Sequence, residues 1–180
     1  SVTGVQTCAL PIYIPTAAFM AKVCSRFPQV VAINVKKVSH TYLLDLRQAV
    51  NRDLLYFVDD LSTSLNAFVL GADGVTGANA NIIPKTHRQY LDLFQAGEYD
   101  ELAKVYEHLL RFGQYMNKWA PTFARSFKMA MRVLKLPGGK GGLRRPYLMP
   151  DEKELQTFTE GLLRLGIPEI DEMARAAGLR

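Results

Sequence analysis

The chain has 180 residues, 48% of them hydrophobic and 22% charged, with a net charge of +5. That is enough for one domain with a core and matches ordinary globular composition; no run approaches the roughly 20 apolar residues of a membrane span. Two cysteines, Cys8 and Cys24, show neither metal-ligand spacing nor a disulfide framework, which points to a reduced, cytoplasmic setting and to no metal site.

The charge is uneven. From His108 to Pro150 there is no Asp or Glu, and nine of the 22 basic residues lie there, from Arg111 to Arg145. Such a segment can attract phosphate or nucleic acid. No aromatic-interleaved pattern or known nucleic-acid motif accompanies it, so the expectation is a solvated helical face and no nucleic-acid partner.

In chain order, Val2–Ile12 stands apart. It resembles the translation of a sequencing-library adapter and is set aside as an artefactual leader, with Cys8 in it. On that reading the natural protein begins upstream of Tyr13. Pro15–Phe27 is expected to be helical, with Pro15 in its first turn and Phe19, Met20, Val23 and Phe27 on its apolar face. Pro28 stops it. Val30–Asn34 is a short apolar run with three β-branched residues and reads as a parallel strand covered on both faces. Lys36–His40 is a polar loop, and Tyr42–Val50 is a helix with Leu43, Leu46 and Val50 inward. Leu54–Val58 is the second strand. Ser62–Leu70 is a helix with Leu65, Phe68 and Val69 inward, capped by Ser62 or Thr63 and ended by Gly71. The third strand lies at Gly74–Gly77. Five helices follow: Pro84–Gln95, Glu98–Tyr115, Pro121–Leu136, Asp151–Leu165 and Pro168–Ala177.

Strands alternating with helices predict a parallel sheet. Three such strands before an all-helical tail make an odd complete domain but a natural second half of an eight-stranded barrel. The expected class is therefore α/β, the last three strands of a (β/α)8 TIM barrel with a C-terminal helical extension. Residues 1–12 are the leader, 13–96 the partial barrel, and 97–180 the extension of the same domain. Chemistry in β/α folds sits at the carboxyl ends of strands, which singles out Asn34.

Four segments resemble the pyruvate-dependent class I aldolase family of dihydrodipicolinate synthase and N-acetylneuraminate lyase. Phe27–Ile33 resembles the approach to the sixth strand. Asp59-Asp60 and Leu70–Pro84 resemble the seventh and eighth strands, the second of these being the most specific piece. Phe127–Met131 and Leu143–Leu148 resemble the helix after the barrel and its Arg-Pro-Pro-Leu segment. The resemblance implies a lyase acting through a Schiff base on a 2-oxo acid such as pyruvate. It implies no cofactor, no membrane, and a homo-oligomer at full length.

In that family the sixth strand ends in a lysine whose amine attacks the ketone and becomes an electron-accepting iminium. Here the matching position is Asn34, and an amide cannot form the imine. Lys36 lies two residues on, on the same side of an extended chain but roughly 7 Å further along; Lys37 follows it. Lysine and asparagine codons differ by one base. The family's catalytic tyrosine lies on the fifth strand; Tyr13-Ile14-Pro15 resembles its motif, but too few residues separate Tyr13 from Asn34 to hold the intervening helix.

Among single residues, Asp59 and Asp60 either bind a polar substrate or cap the Ser62 helix. The resemblance implies that Thr76 presents its backbone carbonyl to a carboxylate-bearing substrate; ordinary core packing is the alternative. Asn79 and Asn81 suit loop turns. Gly138-Gly139-Lys140-Gly141-Gly142 lacks the strand and Gly-Lys-Ser/Thr of a phosphate loop and reads as a flexible linker. His40, His87 and His108 have no partner at motif spacing. Two alternatives to the aldolase remain open: a family member that binds ligand without an imine because of Asn34, and a basic helical module over Lys118–Arg145.

Half of a closed barrel has two strand edges. The 180-residue chain is therefore expected to be poorly soluble or to associate through them, and sedimentation of a stable, cooperatively unfolding monomer is the result that would contradict this.

Overall fold

The computed structural model describes residues 14–35, 39–59, 61–119, 123–145 and 147–180. The expectations for Val2–Ile12, Tyr13, Lys36, Lys37 and Asp60 lie outside them. The chain divides into two compact units, one through Val75 and one from Thr76 onward.

The first unit is a three-stranded parallel sheet in the order β1 (Ala32–Val35), β2 (Leu55–Val58), β3 (Gly74–Val75). Ala32 pairs with Leu55 and Asn34 with Phe57; Phe57 pairs in turn with Gly74. β1 begins two residues later than the apolar run suggested. The Val30 N–H is held by the Phe27 carbonyl at 3.0 Å, and the Val30 carbonyl is taken by the Arg52 guanidinium, so neither joins the ladder.

Three helices accompany the sheet: α1 (Ala17–Arg26), α2 (His40–Ala49) and α3 (Ser64–Val69). Thr16, not Pro15, opens α1: its Oγ1 accepts from the Phe19 N–H at 3.2 Å. The core-facing stripe of α1 is Ala17, Met20, Ala21 and Cys24, an i, i+3, i+4, i+7 set of which Cys24 is buried and the others half-buried. Phe19 and Phe27, placed on the apolar face by residue type, are 49% and 43% exposed. Cys24, fully buried, behaves as a small hydrophobe. α2 starts at His40, with Ser39 as its cap, and buries Leu43, Leu46 and Val50 as expected. α3 is entered through the tight 3-10 turn Leu61–Thr63, and Thr63 makes no side-chain cap bond. Its buried residues are Ser64, Ala67 and Phe68, whereas Val69 is 78% exposed. Gly71, at φ 87°, ends it, and the Arg47 guanidinium occupies the place of its missing Cβ.

Arg52 is the staple of this unit. It donates to the carbonyls of Cys24 and Pro28, each at 2.9 Å, and to that of Val30, so one guanidinium serves the end of α1 and the entry to β1.

The second unit opens with the 3-10 turn Ala78–Asn81. The helices are α4 (Pro84–Ala96), α5 (Tyr99–Lys118), α6 (Phe123–Val133), α7 (Glu152–Leu163) and α8 (Pro168–Ala176). Gly97, at φ 75°, closes α4, and the Glu98 N–H reaches back to the Leu93 carbonyl at 3.0 Å. Periodicity predicts Leu102, Val105, Tyr106, Leu109 and Leu110 inward on α5; Leu102, Val105 and Leu109 are buried, Tyr106 and Leu110 are half-buried, and the buried stripe continues through Phe112 and Met116. Tyr106 stacks on Tyr90 of α4 at 5.4 Å.

Two readings of the basic segment change. α6 stops at Val133, short of Leu136, because Lys135 turns left-handed at φ 53° and the Leu136 N–H closes on the Met131 carbonyl at 2.8 Å. The glycine run is a packed turn and not a flexible linker. Gly139 is buried, and a Cβ there would lie 2.3 Å from the Met131 carbonyl oxygen. Lys128 donates to the Gly138 carbonyl at 2.7 Å and Arg132 to that of Gly139 at 3.4 Å. Arg125 reaches the Trp119 and Leu148 carbonyls and pairs with Glu154 at 2.7 Å.

α5 meets α7 through an aromatic group. The Tyr115 hydroxyl donates to the Phe158 carbonyl at 2.6 Å, and Trp119 stands edge-on to the Phe158 ring at 5.4 Å. Gly161 of α7 makes room: its Cβ would meet the Tyr115 oxygen at 2.4 Å and two ring carbons within 2.9 Å. Alanine is the better helix former by about 1 kcal/mol, but overpacking costs about 1–3 kcal/mol. Gly161→Ala should therefore lower the urea midpoint, not raise it.

His87 lies on α4, partly buried. Its Nε2 is buried with no hydrogen-bond partner among the described residues. Burial pushes its pKa below the ordinary 6.5, and the nearby Glu169 carboxylate offsets this only in part. The unfolded chain thus takes up the proton first as pH falls. The stability associated with neutral His87 is present above 6.5 and declines as pH drops from there toward the lower folded pKa. Unfolding midpoints compared at neutral and mildly acid pH should fall less on acidification in His87→Gln than in the parent chain.

Candidate functional site at the carboxyl edge of the sheet

In β1 the burial alternates. Ile33 and Val35 enter the core with Cys24, Leu43, Leu46, Val50, Tyr56 and Val58, while Asn34 is exposed. The same alternation in β2 buries Tyr56 and Val58 and leaves Leu55 49% exposed and Phe57 partly so. The register then puts Ala32, Asn34, Leu55, Phe57 and Gly74 on the face opposite the helix-covered core.

Asn34 is the penultimate residue of β1, and its neighbour on β2 is Phe57. Asp59 follows the last residue of β2, two positions beyond Phe57, and is partly buried. The sheet therefore brings Asn34 and the approach to Asp59 to the ends of adjacent strands. Thr76 follows β3 directly, is partly buried, and opens the second unit.

Reasoning from residue types overlooked Phe57. Its ring lies over Gly74, where a Cβ would come within 2.9 Å of ring carbon Cε1. The signal was available in the alternation of Leu54–Val58, where Tyr56 and Val58 claim one face and leave Phe57 the other. What the sequence did not carry was the register that sets the ring beside Asn34 and over a glycine.

The opposite, amino edge holds a polar groove of about 430 Å³ lined by Arg47, Asn51, Arg52, Asp53, Tyr56 and Asp73, among others. Its charged groups serve the backbone. Arg47 donates to the Leu70 carbonyl at 2.5 Å, Arg52 makes the staple described above, and Asp73 accepts the Tyr56 N–H at 2.8 Å. Burial raises the pKa of the Tyr56 hydroxyl, so it stays protonated. This groove reads as structural, and it lies at the edge away from the strand ends where β/α sites form.

No group of three or more His, Cys, Asp or Glu residues suited to a metal occurs among the described residues, and none of their helices is long and apolar enough to cross a membrane.

Comparison with known proteins agrees with this architecture. An uncharacterized DapA-like lyase of Pyrococcus horikoshii is 26% identical over 159 residues, covering 87% of this chain and 54% of that protein. A 4-hydroxy-tetrahydrodipicolinate synthase of Methanococcus maripaludis is 27% identical over 141 residues, 78% of this chain and 47% of that one. The chain thus spans about half the length of these curated relatives. Dihydrodipicolinate synthase from Aquifex aeolicus superposes with a TM-score of 0.71 at 17% identity, over 85% of this chain and 51% of that one. A prophage protein of the same family from E. coli K12, solved in complex with pyruvate, gives 0.70 at 19%, over 84% and 51%. These likenesses show the fold: the last three strands of a TIM barrel followed by helices. Residues 18–164 match the sequence model of the dihydrodipicolinate synthetase family, and the chain belongs to that family.

Proposed function

We propose that this chain is the carboxyl-terminal half of a family aldolase or lyase that handles a 2-oxo acid such as pyruvate at the carboxyl ends of its strands. The observation that carries the reading is the placement of Asn34. It stands on the face of β1 turned away from the helices, one residue from the strand end and beside β2. That is where a residue meets a ligand held at the mouth of a β/α barrel. The pyruvate complex of the E. coli relative supports the substrate class.

The chemistry turns on that one side chain. A lysine amine there adds to the ketone carbon, loses water, and leaves an imine whose protonated form withdraws electrons from the adjacent carbon. The Asn34 carboxamide nitrogen is delocalised into its carbonyl and is not a nucleophile. Asn34 can orient a ligand by hydrogen bonds but cannot bond to it covalently. This favours a second reading: a family member that binds its ligand without an imine. Lys36, two residues on in the sequence, is the alternative amine. Asp59 would bind polar groups at the end of β2. At Thr76 a backbone carbonyl suits a substrate hydroxyl better than a carboxylate, which is itself an acceptor. The full-length assembly is proposed to be a cytoplasmic homo-oligomer, as the family resemblance suggests.

Borohydride reduction in the presence of pyruvate, followed by peptide mass spectrometry, tests the site. It is best carried out on a chain extended to the full length of its relatives. The sequence as it stands should show no adduct at Asn34, and Asn34→Lys should trap pyruvate at that position. An adduct on Lys36 in the parent chain would mean that the active amine has moved two residues along the sequence. No adduct in Asn34→Lys would end the Schiff-base reading of this strand.

A further inference from the structure

The first turn of α4 lacks a cap of its own. Ile83 precedes it, is fully buried, and offers no side-chain acceptor, yet the N–H groups of Lys85 and Thr86 must be paired. The acceptor comes from the far end of the chain. Glu169, 7% exposed, accepts the Lys85 N–H at 3.0 Å through Oε1. Its Oε2 accepts the Thr86 N–H and the Thr86 hydroxyl, each at 2.7 Å. Glu169 itself lies in the first turn of α8, so its negative charge is placed favourably for the dipoles of both helices.

α8 is fixed where it must be for this contact. Ile167, Ile170 and Ala174 are fully buried, and Arg180 ties Asp171 to the Leu163 carbonyl at 2.7 and 2.6 Å. Beside the buried contact, Lys85 pairs with Glu172 at 2.7 Å, but both side chains are largely exposed and the pair contributes little. The carboxylate of Glu169 is the specific element.

What α4 begins is also what the last strand's exit loop ends on. The Ile82 and Ile83 N–H groups both bond to the Asn79 carbonyl at 3.0 Å, and the Ala80 N–H bonds to the Gly77 carbonyl at 3.3 Å. The Asn79 side chain lies against Gly113 of α5, 3.4 Å from where a Cβ would be. The segment from Thr76 to Ile83 is therefore a short hydrogen-bonded run with one end set by the first turn of α4.

We infer that Glu169 is a positioning residue: from the C-terminal helix it holds the start of α4, and through it the exit loop Thr76–Ile83 after the last strand. Any importance for ligand binding rests on the proposed function. The structural claim itself does not, and the two can fail separately, because the test below uses no substrate.

Amide hydrogen exchange and amide resonances of the full 180-residue chain read it directly, with Glu169→Ala and Glu169→Gln as variants. In Glu169→Ala the Lys85 and Thr86 amides should exchange about tenfold faster, the scale of a lost cap. The resonances of Ala80, Ile82 and Ile83 should move, while Leu109 and Phe112 of α5 keep their protection. Glu169→Gln keeps only one acceptor oxygen and should deprotect one of the two amides while moving the loop less. Loop resonances that stay fixed while Lys85 and Thr86 deprotect would overturn the inference, because the buried isoleucines would then set the loop alone. Loss of protection throughout α5 in both variants would overturn it too, since Glu169 would then be a general stability residue.

Discussion

Ile33 and Val35 lie buried in one core with residues of α1 and α2, and that burial decides which way Asn34 faces. A strand has a side-chain period of two, so a slip of one residue would exchange the buried and open sets entirely. The register then extends the decision across the sheet: Asn34 to Phe57 to Gly74. The open face is thus a consequence of core packing on the other side. A carboxamide, an aromatic ring and a glycine share it. Gly74 matters because the Phe57 ring takes the space that a side chain would need.

Long-range charged side chains finish the backbone in both units. Arg52 closes the end of α1 from 28 residues away, and Glu169 opens α4 from 83 and 84 residues away. Each pairs groups that no local side chain reaches. Charge-assisted bonds of this kind are about twice as strong as neutral ones, and they couple segments distant in sequence to the edges of elements. In the second unit the coupled edge adjoins the exit of the last strand. The C-terminal helix α8 thereby completes the first turn of α4.

The basic stretch obeys the same economy. Arg125, Lys128 and Arg132 are engaged with carbonyls and with Glu154. Three neighbouring cations in sequence thus become three separate staples. Of the glycines between Leu136 and Leu143, Gly139 serves close approach: it sits where even a methyl group would strike the Met131 carbonyl.

Apolar runs between helical patterns determined much by themselves: three strands, their parallel order, the helices after them and the inward residues of α2 and most of α5. These are local signals, repeated every two or every three to four residues. The position of Asn34 was legible for the same reason, as the residue near the end of a strand. Where two apolar faces competed, the sequence misled. Phe19 and Phe27 outrank alanine and cysteine in hydrophobicity, yet α1 turns Ala17, Ala21 and Cys24 toward the core and leaves both rings exposed. Val69 fails likewise, since α3 turns Ala67 and Phe68 inward. Register, imported caps and the packed glycine turn were decided only by tertiary structure. Each depends on two segments meeting, and a residue such as Glu169 carries no mark in sequence of the amides, 83 and 84 positions earlier, that it will serve.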